Sequence, residues 1–208
     1  MEILFNILNV IKYLIYALLI IVFVIFIFLN VSPVFGASPD KNSKEIIANS
    51  ENFFEGKFRN IKTTYTNLRT LERKSTLKEW FFPPEDKNPL GPLPTIKFKG
   101  QDLTEGKFVW FGHSTLLMKT EGLVVMTDPV FNRASPLPSF SSKSKSSFFN
   151  GKPFVFENPI LIEDLPKVDV VIISHDHYDH LDSKAIKDLS NLVDHFIVPL
   201  GVGAHLER

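Results

Sequence analysis

The chain has 208 residues, 44% of them hydrophobic and 22% charged, with 23 basic and 23 acidic side chains and no cysteine. The composition is too apolar for a disordered chain, and the zero net charge argues against a general electrostatic nucleic-acid binder. Without cysteine there are no disulfides, no thiol nucleophile and no metal site built on sulfur, so any metal chemistry must run on His, Asp and Glu.

From Tyr13 to Leu29 the chain reads YLIYALLIIVFVIFIFL, with no charge in it. Extended by Val10, Ile11 and the residues through Val31, the run is long enough for a helix across a bilayer, which takes about 20 residues. Lys12 can snorkel from one end. A cleaved signal peptide is the rival reading, although its apolar core usually spans only about 7–15 residues. Val34 and Gly36 offer a small-residue cleavage site before Ala37. A buried core helix fits poorly, because the run has no polar face. Lys12 on one side and Lys41 and Lys44 on the other leave the orientation undecided by the positive-inside count. The expectation is a single-pass anchor over 1–32, with the remainder leaning towards the extracytoplasmic side.

Residues 33–94 read as a linker. The stretch 31–43 (VSPVFGASPDKNS) is rich in Pro, Ser and Gly, 44–55 (KEIIANSENFFE) reads as a short amphipathic helix, and 83–94 (PPEDKNPLGPLP) carries too much proline for a helix or central strand. A compact domain is expected over 95–208. It opens with β-rich runs at 107–111 (KFVWF) and 115–120 (TLLMKT), a turn at Glu121-Gly122, and another strand at 123–128 (LVVMTD). Residues 129–160 read as a long loop. Its SSKSKSSFF stretch at 141–149, with Lys143 and Lys145, is either a solvated loop or a contact to phosphate or lipid. VDVVIIS at 168–174 has the unbroken apolar pattern of a strand buried on both faces. Ala185, Ile186, Leu189, Leu192 and Val193 recur at helical spacing after an N-cap at Asp182 or Ser183. HFIVPL at 195–200 is the next strand, so the order is a right-handed βαβ unit.

Directly after the apolar strand stands His175-Asp176-His177-Tyr178-Asp179-His180. Strand C-terminal ends are where α/β folds place their sites. His175 and His177 are two apart and share a side in extended backbone. Asp179 and His180 follow a change of direction and can face a second metal. Imidazole nitrogen and carboxylate oxygen suit Zn²⁺, with Fe or Mn also open. The bland alternative is a polar turn with clustered histidines, but four candidate ligands in six residues at a strand end favour a metal. Asp128 in MTDP reads equally as a site residue or a turn residue before Pro129. His113 in GHST can approach the site or be a structural histidine.

On these residues the sequence resembles the metallo-β-lactamase-fold hydrolases. WFGHSTLLMKTEGLVVMTDPVFNRASP at 110–136, ISHDHYDHLD at 173–182 and VPLGVGAHLER at 198–208 are similar to the N-acylphosphatidylethanolamine-hydrolysing phospholipase D group and its bacterial relatives, as is FFEGKFRNIKTT at 53–64. One departure is the SSKSKSS stretch, where that family often has a Gly-Pro-Lys-Arg-like segment. The resemblance implies an αββα sandwich of two similar halves, of which this chain holds the first; the apolar run places an N-terminal transmembrane helix before it. It implies that His175 and His177 bind one zinc and Asp179 and His180 a second, with Asp128 supporting the metal loop rather than ligating. Asp179 would orient a water that the metals activate as hydroxide nucleophile. His195 and His205 match no ligand position and are read as structural.

The implied substrate is a phospholipid phosphodiester, with the anchor holding the site at the membrane, no nucleic-acid partner, and a dimer left open. A lactone or ester hydrolase of the same fold is the alternative. A second alternative is a non-catalytic membrane protein with a vestigial half-domain. Further ligands are expected downstream of this chain, so the chain is expected to be an N-terminal fragment. Its four ligands spread over two ions leave each undersaturated, its own hydrolysis should be absent or very low, and one sheet face should be left apolar and exposed.

Overall fold

A computed structural model describes residues 2–62, 64, 88–136 and 153–207. Lys143, Lys145 and the rest of the 141–149 stretch lie outside the described residues, as does the first part of the Pro-rich run at 83–94.

Helix α1 (Glu2–Val31) is continuous and has no buried residue. At about 1.5 Å per residue it is about 45 Å long, more than a bilayer's hydrocarbon core requires. It has the length and composition to cross a membrane, as an anchor or a signal sequence near the N-terminus would. Helix α2 (Lys41–Ala48) follows, its N-terminus capped by the Asp40 side chain accepting from Ser43 N–H at 2.7 Å. The sequence pattern placed this helix at 44–55. It stops earlier because the chain turns into a small hairpin, β1 (Phe53–Phe54) with β2 (Lys57–Phe58). Glu55 and Gly56 take positive φ of 51° and 75° there, the left-handed pair a tight hairpin turn demands.

The main sheet has five strands in the order β3-β4-β5-β6-β7. Strands β3 (Phe108–Gly112), β4 (Thr115–Thr120) and β5 (Leu123–Thr127) form an antiparallel meander, and Glu121 and Gly122 again supply two positive φ angles at the β4–β5 turn. Strands β6 (Val168–Ile172) and β7 (Val193–Ile197) add in parallel, joined by helix α3 (Ser183–Leu189). A short helix α4 (Gly203–Leu206) ends the described fold. Strand β7 begins two residues before the expected position, so Val193 pairs with Val168 instead of closing the helix.

One face of the sheet packs the core. Leu117, Met126 and Val171 are fully buried across three neighbouring strands, with Ala185 and Leu189 of α3 also fully buried. Phe98, Leu103 and Leu165 close the same cluster from the connecting segments. Each of the large side chains among these contributes about 1.5–3 kcal/mol. The opposite face is apolar and open: Phe108, Trp110 and Ile197 are 72%, 65% and 57% exposed. This corrects the expectation that the 168–174 strand is buried on both faces. Val171 points into the core, whereas Ile172 points to the open face and is 38% exposed. The apolar run was right for a β-strand, but period two still assigns its residues to two different environments.

The segment 33–40 is not a free tether. Gly36 is buried with φ +63°, Ala37 N–H donates to His205 Nδ1 at 2.9 Å, and Pro39 lies close to Gly201. At the domain's entry Asn158 donates from its backbone N–H to Thr95 Oγ1 and from its side-chain amide to the Thr95 carbonyl, and Leu93 bridges to Phe156.

Candidate metal centre

The site forms where three strand ends meet. The β3–β4 turn carries Gly112, His113 and Ser114, the end of β5 carries Asp128, and the end of β6 carries the six-residue motif. A register shift between Trp110 and Gly112 makes a bulge, a device that re-aims side chains at sheet edges. His113 sits beyond it with φ 46° and Asp128 has φ 38°, conformations that His and Asp tolerate better than most side chains. The two turns are locked together. Thr115 Oγ1 donates to the Asp128 carbonyl at 2.7 Å, and Thr127 Oγ1 donates to the Ser114 carbonyl at 2.8 Å. Trp110 Nε1 donates to the His113 carbonyl at 2.9 Å.

After Ser174 the chain bends back, with His180 N–H and Leu181 N–H both donating to the His177 carbonyl. The bend ends at Asp182, which is buried and caps α3 by accepting from Lys184 and Ala185 N–H. Its other oxygen accepts from Phe131 N–H, Asn132 N–H and the Asn132 side chain. One carboxylate therefore ties the motif to the segment following Asp128.

Asp128 is buried and faces the motif. Its Oδ2 stands 2.8 Å from His180 Nδ1 and accepts from Ser174 Oγ at 2.8 Å, while Oδ1 accepts from Ser174 N–H at 2.7 Å. Burial pushes the Asp128 carboxyl up, but the hydrogen bonds from His180 and Ser174 outweigh it and hold the carboxyl below the usual carboxylate range. Burial, and then the Asp176 carboxylate, push the Tyr178 phenol up.

The candidate ligands cluster. His113 Nε2 lies 3.2 Å from His180 Nε2 and 3.2 Å from Asp179 Oδ2, and His180 Nε2 lies 3.8 Å from that same oxygen. His113, Asp179 and His180 each offer a ligand atom within 4.8 Å of the others. The His175 ring packs 3.9 Å from His180 and 4.5 Å from His177, centroid to centroid. His175 and His177 stand as a pair beside the trio. The donor set fits a divalent ion: two imidazole nitrogens and a carboxylate oxygen, with the second nitrogen of His180 committed to Asp128.

His195 is exposed on β7, and His205 binds the 33–40 segment while standing 3.8 Å from Asp176. The sequence did not single out Ser174 or Ser114. Ser174 Oγ reaches Asp128, His175 Nδ1 and His180 Nδ1, and Ser114 Oγ lies 3.1 Å from His180 Nδ1. Their positions directly beside His175 and His113 were the available signal.

These features define a mixed α/β domain with a His/Asp ligand cluster at the end of a sheet. Residues 107–204 match the family model described as a beta-lactamase superfamily domain. It is similar to an uncharacterised protein of Mycobacterium tuberculosis, 36% identical over 165 residues that make up 76% of this chain and 41% of that one. It is also similar to N-acyl-phosphatidylethanolamine-hydrolyzing phospholipase D 1 of Caenorhabditis elegans, 36% identical over 66% of this chain and 37% of that one. A mitochondrial enzyme of the same name from Saccharomyces cerevisiae is 28% identical over 47% of this chain and 19% of that one. Among solved structures, a mutant CmlA beta-hydroxylase aligns with a TM-score of 0.31 at 23% identity, over 45% of this chain and 16% of that one, too slight a match to add to the argument. The chain spans about two fifths of the length of the first two relatives.

Proposed function

We propose that this chain is the site-bearing N-terminal part of a metal-dependent hydrolase that cleaves a phosphodiester of N-acylphosphatidylethanolamine-like phospholipids. In this reading α1 anchors the protein in the membrane, 33–94 connects, and 95–208 is the first half of the hydrolase domain. The convergence of His175, His177, Asp179 and His180 at the end of β6, inside a superfamily domain, carries the proposal. The relatives' phospholipase names support the substrate class.

His175 and His177 would hold one ion, and Asp179 and His180 the other, most simply zinc. When bound, such ions supply Lewis acidity, making water a nucleophile near neutral pH and offsetting charge on a phosphoryl oxygen. The chain's own residues prepare for this. Asp128 and Ser174 fix the His180 ring, so that Nε2 is the nitrogen turned to the site. Asp179 has an exposed carboxylate at the open side, where it can orient a water towards an approaching phosphodiester. Membrane anchoring would bring the site to a substrate that does not leave the bilayer.

The test is turnover by the protein isolated from its own membranes, on vesicles containing N-acylphosphatidylethanolamine, on a soluble phosphodiester and on a lactone. The expected result is release of phosphatidic acid from the vesicles, lost on chelation, restored by Zn²⁺, and absent in His175→Ala. Lactone hydrolysis with untouched phospholipid would overturn the substrate assignment. Full turnover after exhaustive chelation would overturn the metal.

A further inference from the structure

The chain leaves α1 through a continuous series of contacts. Ser32 N–H donates to the Phe28 carbonyl at 3.0 Å, and the next turn closes with Gly36 N–H donating to the Pro33 carbonyl at 2.9 Å. Phe35 folds back on the helix, its ring edge-on to Phe28 at 5.4 Å. Gly36 then passes so close to His205 that a Cβ would stand 2.0 Å from Nδ1. Ala37 N–H donates to that same nitrogen at 2.9 Å, across 168 residues of sequence. Pro39 and, from α2, Ile47 lie against Gly201, where a Cβ would stand 3.3 Å from Pro39 and 3.1 Å from Ile47. The other nitrogen of His205 faces the metal motif, with Nε2 3.8 Å from Asp176. The last turns of α1 border the motif as well: Phe28 and Ser32 share a cleft of about 450 Å³ with Tyr178 and Leu181.

A free tether over residues 33–40 would let the domain range within about 28 Å of the helix end, in any orientation. Such a tether raises the local concentration of a membrane substrate but orients nothing. The contacts above remove that freedom, and reaction gains most when the reacting groups are held in one geometry. We infer that the 33–40 segment, pinned by His205, is a rigid mount. It holds the metal-motif end of the sheet in one orientation over the point where α1 leaves the bilayer, so that the site addresses phospholipid in the leaflet from which the helix emerges. His205 is the positioning residue, because one imidazole meets the mount through Nδ1 and the motif through Nε2. The inference rests on the membrane and hydrolase readings proposed above.

The chain has no cysteine, so one introduced thiol takes a dye at a single place. The full chain with Lys187→Cys, at an exposed position of α3, is labelled and reconstituted in phosphatidylcholine–phosphatidylethanolamine vesicles that hold an acceptor lipid. Time-resolved energy transfer reads the distance from α3 to the bilayer surface and its spread. His205→Phe keeps a ring without an acceptor, and His205→Asn returns an acceptor oxygen near the place of Nδ1. Circular dichroism checks folding, and Gly36→Ala, which closes the same gap from the other side, stands in if His205→Phe does not fold. The expected result is one narrow distance in the unmodified chain, regained in His205→Asn. In His205→Phe the spread should widen towards the roughly 15 Å of a free eight-residue chain. A spread of that size in the unmodified chain, or His205→Phe as narrow as the unmodified chain, overturns the mount. In the protein from its own membranes, His205→Phe should lower turnover of N-acylphosphatidylethanolamine in the same vesicles by about 10–100-fold, with a soluble phosphodiester within about twofold. Equal losses on both substrates would place His205 at the chemistry and overturn the positioning role. If neither substrate is turned over while the distances behave as expected, the hydrolase reading falls and the mount stands. If the unmodified chain shows no transfer, the membrane reading falls and this inference with it.

Discussion

Three hydrogen bonds meet at the carboxylate of Asp128, and two of them come from the residue directly before the metal motif. In the proposed function its part is to hold His180 in one tautomer and one orientation. Replacing Asp128 by Asn keeps an acceptor for Ser174 N–H but removes the charged partner of His180 Nδ1. The expected outcome is a 10–100-fold loss, roughly, of affinity for the ion at His180, with a stability loss of about 1–3 kcal/mol. Calorimetric Zn²⁺ titration and urea unfolding of the same variant separate the two effects. An unchanged metal affinity would show that the Asp128–His180 contact is only structural. At this scale the cluster was legible as a candidate because its His and Asp residues are contiguous and follow an apolar strand. Asp128 was legible only as an even choice, since a turn Asp before Pro looks the same in sequence. The serines at 114 and 174 were not legible, because hydroxyls are common in turns and only the folded geometry aims them at imidazole nitrogens.

Among the elements, the segment between α1 and α2 behaves unlike its composition. Its Pro, Ser and Gly content reads as a tether, yet it is fastened to α4. A Cβ built on Gly36 would stand 2.0 Å from His205 Nδ1, and the residue has φ +63°. Both the space and the backbone conformation therefore demand glycine. Gly36→Ala should break the Ala37–His205 hydrogen bond and release the strap, while the sheet stays folded. Hydrogen exchange would show this as loss of protection at the Ala37 amide, with amides of β5 and β6 unchanged. Retained protection at Ala37 would mean that the contact is not what holds the segment. The β3–β5 meander and α3 were readable, because period-two alternation, the Glu121-Gly122 turn and the Asp182 cap are local signals. The Phe53–Phe58 hairpin was missed, although Glu55-Gly56 between Phe53-Phe54 and Lys57-Phe58 is the same kind of turn. A neighbouring amphipathic pattern masked it.

For the molecule as a whole, two apolar surfaces stand open among the described residues: α1 apart from its last turns, where Phe28 packs on Phe35, and the sheet face bearing Phe108, Trp110, Ile172 and Ile197. For α1 the proposal is burial in a bilayer. Leu18→Arg combined with Val22→Arg places two charges near the middle of the apolar run, each costing about 2.5–3.5 kcal/mol for insertion. Alkaline carbonate should leave the unmodified protein in the membrane pellet and move the double variant to the supernatant. Equal retention of both would argue against a spanning helix. The open sheet face was expected from family resemblance, whereas the strand pattern alone suggested burial on both sides. Three strands contribute these exposed residues, and no single strand's sequence records what lies opposite.

The sequence by itself determined the apolar helix, the order of strands and helices around the β6–α3–β7 unit, and the contiguous His/Asp cluster at a strand end. These follow from residue periodicity, turn chemistry and spacing, all of which act over a few neighbours. The tertiary structure alone decided which sheet face is covered, that the 33–40 segment is strapped to His205, and that His113 joins Asp179 and His180. Each of these depends on residues far apart in the chain being brought to within a few ångströms, by strand pairing for His113 and by side-chain packing for the strap.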